Sequence, residues 1–122
     1  MPISEPDPAT VVRRFGDAFN SHDLDAIMAL MTDDCVFENT RPAPDGTRVE
    51  GQVAVRECWR QMFANSPQAR FEFTDVFACG DRCVARWTYH WVKAGSAGHV
   101  RGVDILRVRD GKVAEKLSYV KG

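Results

Sequence analysis

Up to Pro67 the apolar positions of this chain recur every three or four residues, and beyond it they alternate. Asp7 followed by Pro8 forms an N-cap and first-turn pair, and Val12, Phe15 and Phe19 carry a first helix to about Asn20. A short second helix follows, with Leu24, Ile27, Met28 and Met31 on one face and Asp23 and Asp25 near its positive end. Cys35–Thr40 reads as a strand, and Arg41-Pro42-Ala43-Pro44-Asp45-Gly46 as the loop after it. A third helix starts after Gly51, with Val55, Cys58, Trp59, Met62 and Phe63 on one face, and Pro67 closes it. Strands are then expected near 70–78, 83–93, 99–108 and 112–120, joined by turns at Gly80-Asp81-Arg82, Gly95–Gly98 and Asp110-Gly111. Helices first and hairpin-linked strands afterwards make an α+β plan. Residues 1–6 read as a flexible tail and 7–122 as a single domain.

Register gives the second half its chemical content. A loop at Ser96-Ala97 or Gly95–Gly98 sets Tyr89 opposite Asp104, Trp87 opposite Leu106 and Trp91 over Gly102. Directly opposed residues share a face, so Trp87, Tyr89, Trp91, Gly102, Asp104 and Leu106 lie together. A three-residue first turn adds Phe71 and Phe73. That face needs a cover, which the three helices can supply. Asp104 is the exception among the rings: buried alone, it is expected to have a raised pKa or a hydrogen-bond partner such as Tyr89. Two plainer readings stay open, an exposed Asp104 or a structural ion pair with Lys116. The last hairpin is equally open. A type I turn with a Gly111 bulge puts Lys116 and Ser118 on the Asp104 face, and a two-residue turn puts Leu117 and Tyr119 there.

Composition narrows the classes. The 122 residues suit one domain, and 44% hydrophobic with 27% charged residues is ordinary for a globular chain. The 16 Lys and Arg are scattered and the net charge is -1, which speaks against nucleic acid or an anionic membrane as partner. The apolar runs are too short to span a bilayer and the acidic, Pro-rich start lacks a signal-peptide pattern, so a cytoplasmic location is expected. Cys35, Cys58, Cys79 and Cys83 form no Cys-x-x-Cys pair, and the histidines are dispersed, so buried reduced thiols are expected and no metal or organic cofactor is implied. Cys79 and Cys83 flank the first turn and are candidates to face each other across it.

Three stretches carry a resemblance: His22-Asp23-Leu24-Asp25-Ala26-Ile27, Asp33-Asp34-Cys35-Val36-Phe37-Glu38-Asn39, and Gly102-Val103-Asp104-Ile105-Leu106-Arg107-Val108-Arg109-Asp110-Gly111-Lys112. In this order and spacing the chain resembles the nuclear transport factor 2-like superfamily, and within it the SnoaL-like proteins and ketosteroid isomerases. The resemblance implies a cone-shaped, curved, mainly antiparallel sheet wrapped around three N-terminal helices. It also implies an apolar pocket and a homodimer through the outer sheet face. Of the isomerase's functional positions, the general-base aspartate corresponds to Asn39 and an oxyanion-hole tyrosine to Phe15. The second donor, an aspartic acid held neutral by an apolar site, corresponds to Asp104. Two supporting tyrosines correspond to Met31 and Trp59. An amide cannot act as a base at neutral pH, so the resemblance does not carry over steroid isomerisation. The limonene epoxide hydrolases share the asparagine at Asn39, but Ser118 and the Trp87–Tyr89 stretch stand where their remaining machinery is expected. The SnoaL-like cyclases leave acid/base ring closure open.

These readings converge on a pocket for a small apolar molecule. Asp104 and Asn39 are the candidate catalytic groups. Phe15, Phe19, Met31, Phe37, Trp59, Phe63, Trp87, Tyr89, Trp91, Lys116 and Ser118 are the candidate substrate-binding set. The activity expected is a cofactor-independent isomerase, cyclase or hydrolase. The alternative is a non-catalytic ligand-binding or dimerisation module.

Overall fold

The computed structural model describes residues 6–121. The tail expected over residues 1–6 falls, Pro6 apart, outside the described residues. The elements run α1 (Pro8–Asn20), α2 (Leu24–Ala29), β1 (Met31–Glu38), β2 (Arg48–Glu50), α3 (Gln52–Asn65), β3 (Arg70–Cys79), β4 (Arg82–Lys93), β5 (Ser96–Arg109) and β6 (Lys112–Val120). The six strands form one open sheet in the order β2-β1-β6-β5-β4-β3, with β1 parallel to β6 and every other pairing antiparallel. Helix α1 lies along β3 to β6 and α3 against β1 and β2, so the sheet curves around an interior that the helices close. The α+β plan read from the periodicity is the plan observed.

Two boundaries differ from the sequence reading. The second helix stops at Ala29 with Leu30 as its C-cap, so Met31 opens β1 instead of ending α2. Pairing with β6 decides this: Val113 N–H donates to Leu30 O at 2.8 Å, and Met31 stands beside Val113. β2 has only three residues, too few for a periodic signal, and it forms because β1 offers Val36–Glu38 as a partner edge. At the start of α2, Asp23 does more than suit the dipole, since its carboxylate accepts from Ala26 N–H at 3.1 Å.

The middle hairpin is displaced by four residues from the expected pairing. Its turn is Ala94-Gly95, with φ of 52° and 78°, as a two-residue type I′ connection requires. Trp87 therefore faces Gly102, Tyr89 faces Val100, Trp91 faces Gly98 and Asp104 faces Ala85. An even shift keeps every side chain on its face, so the aromatic-plus-acid face survives the slip. The glycines accept the rings: a Cβ on Gly102 would lie 2.6 Å from Trp87 Cη2, and one on Gly98 would lie 2.6 Å from Trp91 Cε2.

The flanking hairpins arrive at the expected faces by different routes. The first turn has two residues, Gly80-Asp81, but a bulge between Phe73 and Asp75 restores Phe71 opposite Tyr89 and Phe73 opposite Trp87. Cys79 pairs with Arg82 and is exposed, whereas Cys83 pairs with Ala78 and is buried, so the two thiols do not meet. The last turn is Asp110-Gly111, and a register shift after Arg107 sets Ser118 opposite Asp104 and Lys116 opposite Leu106. Lys116 and Ser118 occupy the inner face.

Candidate functional site

Asp104 on β5 projects into the interior and is only 3% exposed, with Lys116 of β6 at 6%. Ser118 Oγ–H donates to Asp104 Oδ1 at 2.6 Å. Lys116 Nζ donates to Ser118 Oγ at 3.0 Å and lies 3.3 Å from Asp104 Oδ2. The same ammonium sits 4.7 Å from the ring centroid of Phe37 and 5.9 Å from that of Phe19, within cation–π range. The partner of Asp104 is thus this Lys–Ser pair. Tyr89 is not involved, because the register sets it opposite Val100, among Phe71 and Trp91. Burial there pushes the Tyr89 phenol pKa up.

Rings wall this polar group in. Phe15 and Phe19 of α1 meet Trp59 of α3 edge-on at 5.7 and 5.4 Å, and Phe19 meets Phe71 at 5.4 Å. Phe71 in turn stands at 89° to Trp87, 5.0 Å away. Asn20 fixes Phe71 at the end of α1: its amide donates to Phe71 O at 2.8 Å and accepts from Phe71 N–H at 2.7 Å. A Cβ on Gly16 would lie 2.6 Å from the Phe73 ring, so the glycine lets that ring rest against α1. Between Phe15, Phe19, Phe71, Phe73, Asp104 and Lys116 remains a cavity of about 10 Å³, room for about one water molecule. Almost the whole interior is side chain.

Among the described residues four buried side-chain donors have no acceptor, Thr32 Oγ1, Trp59 Nε1, Trp87 Nε1 and Arg107 Nε, and two of them are indoles of the aromatic interior. Buried N–H groups are ordinarily paired, so these indoles leave hydrogen-bonding capacity inside the aromatic interior.

The other predicted residues spread around this centre. Phe15 and Phe19 line the cavity, while Phe37, Met31 and Trp59 are buried around it. Phe63 is half-buried, stacked on His22 at 4.2 Å, and His22 Nε2–H donates to Ala69 O. Trp91 lies towards the Ala94-Gly95 turn, beyond Tyr89. Asn39 follows β1, where its Oδ1 accepts from Thr47 N–H at 2.8 Å and Arg41 N–H at 3.2 Å. Its carbonyl organises the loop and does not line the cavity that Asp104 lines. Burial pushes the neighbouring Cys58 thiol pKa up, and a hydrogen bond with the Asn39 side chain acts the other way. Pattern reading alone does not find Gly16 or Ala85, which line the cavity as well. A glycine inside an amphipathic helix is the available signal for the first.

No helix among the described residues is long and apolar enough to cross a membrane. The model of the SnoaL-like domain matches residues 12–116. A solved NTF2-like protein of unknown function from Mesorhizobium loti is 39% identical, with a TM-score of 0.81, over 100% of this chain and 98% of that one. A protein of ketosteroid isomerase-like fold from Catenulispora acidiphila, solved in complex with trimethylamine, is similar at 16% identity and a TM-score of 0.80, over 95% and 86% of the two chains. TerC, co-crystallised with polyporic acid, is similar at 17% identity and a TM-score of 0.80, over 94% and 92%. None of the curated proteins matches.

Proposed function

The chain belongs to the SnoaL-like family, and from that premise we propose that it takes an apolar small molecule into the cone and acts on it by acid/base chemistry at Asp104. The observation that carries this reading is the buried Asp104–Lys116–Ser118 group facing a cavity otherwise walled by rings. The carboxylate accepts from Ser118 and is ion-paired with Lys116 in this arrangement, which suits proton abstraction better than hydrogen-bond donation. Lys116 stands where it can offset negative charge developing on a substrate oxygen. Ser118 bridges the two and can pass a proton between substrate and carboxylate. The indoles of Trp59 and Trp87 supply donors for further acceptors on the ligand, and the rings around them exclude water. Isomerisation, ring closure and hydrolysis are the reaction classes this set serves.

Admission requires the interior to open, since about 10 Å³ holds no organic molecule. The seam where Phe73 closes over Gly16 is the natural gate, because it joins α1 to the edge strand β3. Structural neighbours that hold trimethylamine or polyporic acid support small-molecule binding by this fold.

The filled cavity also favours a second reading, a ligand-binding module without turnover. Proton–deuterium exchange at the methyl group of 2-acetylnaphthalene, followed by NMR in D₂O, separates the two. Acid/base function predicts exchange above the buffer rate, reduced by roughly 10²-fold or more in Asp104→Asn while ligand binding persists. Binding without exchange in either protein supports the second reading and overturns the first.

A further inference from the structure

A second cleft, of about 340 Å³, lies on the outer face of the sheet, where Thr74, Arg86, Thr88, Arg101, Val103 and Lys121 line it. That volume is within the usual range for small-ligand sites, roughly 300–1,000 Å³. Register assembles its charge. Thr88 stands opposite Arg101, and Lys121 N–H donates to Arg101 O at 2.8 Å, so Lys121 faces Arg101 from the other side. Arg86 pairs with Val103 and is therefore a diagonal neighbour of Arg101, about 7 Å away across the strands. Like charges directly opposite one another, as Arg101 and Lys121 are, destabilise a sheet.

Among the described residues, Arg86, Arg101 and Lys121 form no ion pair. Arg86 Nε reaches only the hydroxyl of Thr74, at 3.3 Å. Two acids share this face: Glu72, opposite Thr88, accepts from His90 at 3.1 Å, and Asp75 stands opposite Arg86 without closing to a salt bridge. A chain of net charge -1 thus gathers three cations outside any salt bridge, and two hydroxyls, around one concavity. Tyr119, 48% exposed and opposite Val103, extends an apolar surface beside it.

We propose that this outer cleft binds a small molecule through a dianionic oxyanion, of the phosphate monoester class. Two guanidinium forks and an ammonium supply the charge and directed N–H groups, and Thr74 and Thr88 supply hydroxyl donors. Val103 and Tyr119 suit an apolar ester group.

Isothermal titration calorimetry with phenyl phosphate, and separately with inorganic phosphate, tests this on the wild type, Arg86→Gln, Arg101→Gln and Asp104→Asn. One saturable site per chain is expected for phenyl phosphate, weakened roughly tenfold or more by either arginine substitution and unchanged by Asp104→Asn. Weaker binding of inorganic phosphate with the same arginine dependence assigns the ester as the preferred source of the anion. Absence of saturable binding by either probe overturns the proposal, as does binding that the arginine substitutions leave intact. Sedimentation velocity is the companion measurement. If Arg101→Gln lowers the mass of an assembly while phosphate binding stays unmoved, the cations serve a contact between copies and the proposal fails.

Discussion

Lys116 Nζ lies 3.3 Å from Asp104 Oδ2, and Ser118 Oγ bonds to both residues, inside a wall of phenylalanine and tryptophan rings. A buried ion pair of this kind is weak evidence for stability, because desolvating both charges cancels much of their attraction. Its retention in an otherwise apolar interior is what points to function.

Removing one partner should therefore be costly and removing both should not. Asp104→Ala, which leaves the ammonium unpaired, is expected to destabilise the fold by about 3–5 kcal/mol. The double variant Asp104→Leu with Lys116→Met is expected within about 1 kcal/mol of the wild type, or more stable. Urea unfolding monitored by circular dichroism measures both. A double variant as unstable as the single one would show that the pair is structural.

Gly102 and Gly98 offer a graded test of the register. A Cβ on Gly102 meets Tyr119 O at 2.2 Å as well as the Trp87 ring, so backbone has to move. A Cβ on Gly98 meets only the Trp91 side chain, at 2.6 Å, which can swing aside. Gly102→Ala should cost about 1–3 kcal/mol and Gly98→Ala clearly less. Equal costs in thermal unfolding would contradict the pairing of Trp87 with Gly102.

The cysteines make an alkaline prediction. Burial pushes the Cys35 and Cys83 thiols above their ordinary pKa of 9.0, so the fold prefers them neutral. As pH rises, the unfolded chain gives up these protons first. The folded state then holds more protons, and stability falls. The contribution is intact below pH 9.0 and is lost as pH climbs through the folded values. The melting temperature should decline above that point, and less steeply in Cys83→Ala. In the native protein at neutral pH, a thiol reagent should label the exposed Cys79 first and Cys35 and Cys83 only on unfolding.

The sequence carried the faces better than the pairings. Trp87, Tyr89, Trp91 and Asp104 alternate with outward residues, and alternation fixes which side a residue takes whatever its partner is. The four-residue slip arose because Gly98 looks like a turn residue, whereas its work is to lie under Trp91. Met31 was legible as apolar but not as strand, since only β6 determines where α2 gives way. The partner of Asp104 stayed open for the same reason. Two turn geometries at Asp110-Gly111 place opposite faces of β6 inward, and only the assembled sheet, with its register shift after Arg107, chooses Lys116 and Ser118. How full the interior is depends on side-chain conformations that residue order does not encode.

The most direct test of an interior that admits a ligand uses the indole N–H signals of the three tryptophans in ¹H–¹⁵N NMR. During titration with neutral 2-acetylnaphthalene, the Trp59 and Trp87 Nε1–H peaks should move in saturable fashion, as an acceptor reaches donors that the free protein leaves unpaired. Asp104→Asn should retain that movement. If the ketone binds while both peaks stay fixed, or does not bind at all, the cone is a packed core and the site around Asp104 is not a ligand site.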